Sequence, residues 1–187
     1  MITATQKKAI VDFADGHLSQ NDKYHKLQHA QETARVALEF AVAENASLDI
    51  CWVSAILHDI SKRKPGDHAV TGAEESKKFL LSIGLPKQFA NAVYDTIYYH
   101  NKDFDDGSIE RQILWDADKL QVMTPDGFRR RLLAGWIDQV GRKKGIGKAV
   151  KEYHFYYVRF HTANGKKEIA KHRKYMDDYL KKLRTEE

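Results

Sequence analysis

Cysteine, proline and long apolar runs are scarce in this chain, and each shortage closes off a class of protein. A single cysteine, Cys51, cannot form an internal disulfide, and its place in the apolar run CWVSAIL marks a buried, inert thiol. No stretch approaches the ~18 apolar residues of a membrane span, and the opening MITATQKKAIVDFADG lacks the apolar core of a signal peptide. The expectation is a cytoplasmic protein with no membrane partner. The three prolines, at 65, 86 and 125, leave long stretches free to be helical. What is present, 42% hydrophobic and 30% charged residues over 187 positions, suits one globular domain with a substantial core.

The net charge of +5 hides an asymmetry. Residues 1–118 carry 13 basic and 18 acidic groups, a balance of −5, whereas residues 119–187 carry 18 and 8, a balance of +10. The basic third, with RRR at 129–131 and RKK at 142–144, can attract a small phosphate-bearing substrate or nucleic acid. Solvated faces of amphipathic helices explain it equally well, and no aromatic-plus-glycine RNA-binding signature accompanies it.

Apolar positions recur at helical spacing and no strand-like alternation persists, so the expected class is all-α. Ile10 and Phe13 suggest a short first helix that Gly16 breaks. Further helices are expected near 25–44, 50–60 (capped by Asp49), 71–83, 87–100, 109–122, 126–140, 146–161 and 165–183. Lys62 to Gly66, Gly84-Leu85-Pro86 and Asp105-Asp106-Gly107 read as connectors. The stripe Ile146, Val150, Tyr153, Tyr157 and Phe160 reads as core.

The segment AILHDISK places His58 and Asp59 at the end of an apolar helix, where an unpaired buried charge is costly and needs compensation. A metal ion is one solution; a His–Asp pair satisfied by neighbouring helices is the plainer one. Other segments shift the balance towards metal. His29 continues the stripe Thr33, Val36 and Phe40, and His25 lies one turn earlier. His100 ends the stripe Phe89, Val93 and Ile97. Asp118 follows Leu114 by four positions, whereas Asp116 lies about 200° away around the helix, which selects Asp118. His17, His154, His161 and His172 lack partners at any recognisable spacing and read as surface or packing residues.

The order His29, His58-Asp59, Asp118 resembles the H…HD…D motif of the HD superfamily of metal-dependent phosphohydrolases. HDISK is similar to the HDxxK form of that motif, HAVTGAEE to the segment that supplies another histidine, and His100 falls where many members place a further one. The likeness covers about 22–122, and the C-terminal YVRFHTANGKKEIAKHRKYMDDYL is similar to the tail of small bacterial HD hydrolases. It implies one HD domain over 1–187, a helical bundle with a motif core and a basic helical extension from about 123. No GYP follows His100, where DFDDG stands, and Asn101 takes the place of a second adjacent histidine, so cyclic-di-GMP hydrolysis is not implied.

Two imidazoles and two carboxylates suit Mn, Fe, Co, Ni or Zn, and less selectively Mg, and leave positions for water and substrate. The resemblance implies Asp59 as a bridge to a second metal held by His68 and His100; these two can instead contact phosphate directly. His68, after a Pro-Gly turn, can also be a loop histidine. Lys62, four residues after His58, would reach the same site from a continuing helix and steady phosphoryl oxygens, and His25 can line the substrate pocket or pack against its neighbours. The leading expectation is hydrolysis of a phosphate ester, a nucleotide among the candidates. A di-iron oxygenase of the same fold and a nucleotide-sensing module without turnover are the alternatives.

Overall fold

The computed structural model describes residues 1–21, 23–102 and 107–185, and they form helices without strands. They divide into two compact units, Met1–Ala117 and Asp118–Glu187.

In the first unit, α1 (Ala4–Leu18) opens with a capping box between Thr3 and Gln6. Gly16 does not break it: Ile10, Ala14 and Leu18 continue one buried stripe, and the glycine lies on the exposed face, where its cost of about 1 kcal/mol is tolerated. Helices α2 (Leu27–Ala43), α3 (Leu48–Leu57), α4 (His68–Ser82) and α5 (Lys87–Tyr99) follow. The packing joins α2 to α3, α4 to α5 and α3 to α5, with α1 against α2 and α3. Helix α3 is central, and Cys51, Val53, Ser54, Ala55, Ile56 and Leu57 on it are all buried. Burial pushes the Cys51 thiol up to about 12, so it is inert. The cap of α3 is Ser47, which accepts from the Ile50 N–H, rather than Asp49. Asp49 instead accepts from the Ile2 N–H at 2.9 Å, which ties the N-terminus to this helix.

Helix α6 (Ile109–Met123) carries both units' boundary residues, Ala117 and Asp118. The connector expected at Asp105–Asp106 and most of the DFDDG sequence fall outside the described residues. The second unit continues with the short α7 (Pro125–Gly127), a π-helical segment (Phe128–Leu133), α8 (Ala134–Val140), α9 (Arg142–Tyr157) and α10 (Ala163–Thr185). The continuous helix expected over 126–140 is thus divided. Its π-helical part buries Phe128 edge-on against Tyr153, ring centroids 5.6 Å apart. Helices α8 and α9 approach so closely at Gly145 that a Cβ there would lie 2.8 Å from the Ile137 backbone. Ile146, Val150, Tyr153 and Phe160 are core, as their stripe predicts, whereas Tyr157 is only half-buried, and Arg142, Lys143 and Lys144 are exposed.

Candidate metal centre

The histidines gathered in the first unit stand at helix ends rather than along helix faces. His29 is the third residue of α2, His58 the C-cap of α3, His68 the first residue of α4 and His100 the C-cap of α5. The two C-cap residues are built alike. His58 Nδ1 donates to Ala55 O at 2.8 Å, and His100 Nδ1 donates to Ile97 O at 2.6 Å. A carbonyl can only accept, so each ring donates through Nδ1 to a carbonyl in the last turn of its helix and turns Nε2 towards the centre.

That centre is Asp59, whose side chain is only 4% exposed. Its Oδ2 faces His58 Nε2 at 3.4 Å and His29 Nε2 at 4.0 Å; its Oδ1 faces His68 Nε2 at 3.4 Å, Lys62 Nζ at 3.5 Å and His100 Nε2 at 3.7 Å. The rings follow one another edge to face at 5.3 Å from His29 to His58, from His58 to His100 and from His100 to His68. His25 adds a fifth ring, 5.9 Å from His29.

These separations fit a shared cation better than direct hydrogen bonds. Asp59 Oδ1 is buried and accepts no hydrogen bond among the described residues, at distances beyond the usual 2.7–3.2 Å. A neutral imidazole that donates through Nδ1 presents a lone pair at Nε2, and lone pairs facing a carboxylate repel unless a positive charge lies between them. Two atoms each about 2.1 Å from one ion can be at most about 4.2 Å apart, and all four imidazole-to-Asp59 separations fall inside that bound. Among the described residues, two sets of ligand atoms lie within 4.8 Å of one another and could hold a metal: His29, His58 and Asp59, and Asp59, His68 and His100. Burial opposes ionisation of Asp59. The neighbouring His58, Lys62 and His100 overcome it and hold the carboxyl well below its usual range.

Lys62 arrives by a different route from the expected continuing helix. Helix α3 stops at Leu57, and the chain winds on in tighter turns, with Ile60, Lys62 and Lys64 N–H donating to the carbonyls of Leu57, Asp59 and Ser61. This still places Lys62 Nζ 3.3 Å from His68 Nε2. Lys64 departs from the centre to pair with Glu75, which also accepts from Ser61 Oγ at 2.9 Å. His68 opens a helix rather than lying in a loop, and 19% of its side chain is exposed.

Asp118 belongs to the second unit, where Lys119 Nζ lies 2.6 Å from its Oδ2. Asp116 is fully buried, and so are all residues from Ile113 to Ala117. A helix buried on every side at this point gives the stripe argument little power to separate the two carboxylates.

Sequence reasoning passes over Asn21. Its side chain is buried, and Nδ2 donates to the Asp59 backbone carbonyl at 3.1 Å. Nothing in the polar stretch between Gly16 and Tyr24 distinguishes this asparagine from a surface one.

A profile of the HD domain matches residues 27–123, which span every histidine and both carboxylates considered for the centre except His25. The chain belongs to the HD domain family. This is a family of metal-dependent hydrolases. Among curated relatives, ribonuclease Y of Chloroflexus aurantiacus is 29% identical over 131 residues, covering 67% of this chain and 24% of that protein. The bifunctional uridylyltransferase/uridylyl-removing enzyme of Ralstonia nicotianae is 28% identical over 98 residues, covering 43% of this chain and 11% of that one. The chain therefore spans about a quarter or less of the length of these relatives. Two solved structures match nearly end to end. Bacillus subtilis YpgQ in complex with ADP has a TM-score of 0.79 at 20% identity, covering 98% of this chain and 95% of its own. An HD-superfamily hydrolase from Bacillus thuringiensis has a TM-score of 0.77 at 18% identity, covering 98% of both chains. At these identities the likeness is one of fold. Among the described residues no helix is long and apolar enough to cross a membrane.

Proposed function

We propose that this chain is a metal-dependent phosphohydrolase that cleaves a phosphate ester of a nucleotide. The observation that carries the reading is the buried Asp59 carboxylate ringed by four imidazoles and an ammonium within 4.0 Å. His29, His58, Asp59 and Asp118 would hold the principal metal. His68 and His100 would form a second locus that shares Asp59, for another metal or for the phosphate itself. When bound, a divalent transition metal supplies a water whose pKa falls from 15.7 towards ~7 and a Lewis acid for a phosphoryl oxygen.

The chain's own residues supply the rest. The carbonyls of Ala55 and Ile97 orient two of the rings, so that Nε2 and not Nδ1 faces the centre. Lys62, 31% exposed, lies on the more open side and offers donors to phosphoryl oxygens as charge redistributes. His25, half-buried beside His29, would line the approach. Support for a nucleotide comes from the ADP complex of YpgQ and from relatives named for ribonuclease and uridylyl-removing activity, together with the basic balance of residues 119–187.

The test is metal analysis after aerobic and anaerobic purification, followed by assay of mononucleotides, phosphodiesters and short oligonucleotides with Mn or Co added. Phosphate-ester turnover that rises with bound metal is expected. The nitrogen-rich ligand set also suits iron, so oxygen consumption is measured in parallel. Uptake of oxygen without phosphate-ester cleavage would replace the reading with an oxygenase. Tight nucleotide binding by fully metallated protein without turnover would replace it with a sensor.

A further inference from the structure

Asn101 follows His100 directly, and Asp67 precedes His68 directly. Their side chains meet: Asn101 Nδ2 donates to Asp67 Oδ1 at 3.1 Å. The same Oδ1 accepts from the Ala69 N–H at 2.9 Å, so Asp67 is also the N-cap of α4. Lys102 Nζ stands 3.6 Å from Asp67 Oδ2. The first turn of α4 and the last turn of α5 are therefore fastened together at the two residues adjoining His68 and His100, whose rings are 5.3 Å apart. His29 and His58 lie in the buried interior of the unit, whereas His68 sits at a helix start with part of its ring in solvent, where packing alone constrains it less.

We propose that Asn101 and Asp67 are positioning residues that act as a clamp, fixing the spacing of His68 and His100 and hence the affinity of the second locus. The proposal rests on the assignment of those two histidines to that locus. Loss of one hydrogen bond weakens the locus by about two- to tenfold rather than abolishing it. The clamp needs an acceptor on residue 67 long enough to reach Asn101, and it does not need the negative charge.

Three substitutions separate these requirements. Asp67→Ser keeps an N-capping oxygen for α4 but is too short to reach Asn101; Asn101→Ala removes the donor; Asp67→Asn keeps both the cap and the acceptor while removing the charge. In the metal-free protein, imidazole NMR signals of His68 and His100 are expected to shift in Asn101→Ala and Asp67→Ser, to stay near wild type in Asp67→Asn, and to leave His29 and His58 unmoved in all three. Titration with Mn is expected to show the weaker of two binding steps loosened about two- to tenfold in the first two variants only. Unmoved His68 and His100 signals in Asn101→Ala overturn the clamp, and so does an Asp67→Asn variant that behaves like Asp67→Ser. A wild-type titration with a single step, in which His100→Ala and His68→Ala also leave substrate KM unchanged, overturns the second locus itself, and with it the clamp's proposed role there.

Discussion

The two oxygens of Asp59 look onto different surroundings. On the Oδ2 side stand His29 and His58, 5% and 0% exposed, held by α2 and the end of α3 in the interior of the first unit. On the Oδ1 side stand His100, His68 and Lys62, and the last two are 19% and 31% exposed. One carboxylate thus joins a dry half, whose buried side chains have little freedom to move, to a wetter half built from the first residue of a helix, a C-cap and a turn. A carboxylate taken out of water costs several kcal/mol unless it is compensated on all sides, and both halves contribute compensation. Under the proposed function this difference would give them separate tasks: the dry half would retain an ion, and the open half would admit what exchanges with solvent.

The severest way to break this comparison is to remove what the halves share. Asp59→Ala is expected to abolish both metal binding and phosphate-ester turnover, measured by metal content per folded chain and by phosphate release. Asp118→Ala should lose the principal metal alone, while Asp116→Ala should keep it. A full metal complement in Asp59→Ala, or loss of metal in a folded Asp116→Ala with retention in Asp118→Ala, would contradict the assignment.

A smaller effect sharpens the contrast. If the open side handles substrate, Lys62→Ala keeps its metal and loses on the order of 10²-fold in kcat/KM, comparable with removal of one electrostatic donor at a reacting centre. Lys64→Ala, whose ammonium pairs with Glu75 away from Asp59, is the control and should stay near wild type. Kinetics unchanged in Lys62→Ala would leave the open half without its phosphate-binding cation.

The sequence makes the class, most helices and the converging histidines legible, because each depends on local periodicity or on a compact motif. Ile10, Ala14 and Leu18 show where that reading stops: a glycine on the exposed face looks like a breaker until the buried stripe beneath it is known to continue. The turn after Leu57 is hidden for a related reason. HDISK has no proline or glycine until Pro65, so nothing local announces that the helix ends before His58, and only the tertiary partners of Asp59, Ser61 and Lys64 explain the tighter winding. Position 118 against 116 is equally opaque, since five consecutive buried residues erase the face on which the choice was based.

Asn21 supplies the subtlest probe of the dry half, because it touches no proposed ligand atom, only the backbone that presents one. Its amide donates to the Asp59 carbonyl from 38 residues away, inside the protein. Asn21→Ala removes that donor while the Lys62 N–H still serves the carbonyl, and should cost about 0.5–1.5 kcal/mol in the metal-free protein, as measured by urea unfolding. Stability alone would not separate a bracing role from ordinary packing. Metal binding does: an ion that binds only the folded state stabilises it by RT ln(1 + [L]/Kd), so the increment on adding Mn reports affinity independently of the starting stability. If Asn21 sets the backbone of Asp59, both the metal-free stability and the Mn-induced increment fall. An increment equal to that of wild type would reduce Asn21 to a buried structural contact and leave the rigidity of the dry half to His29, His58 and the core around them.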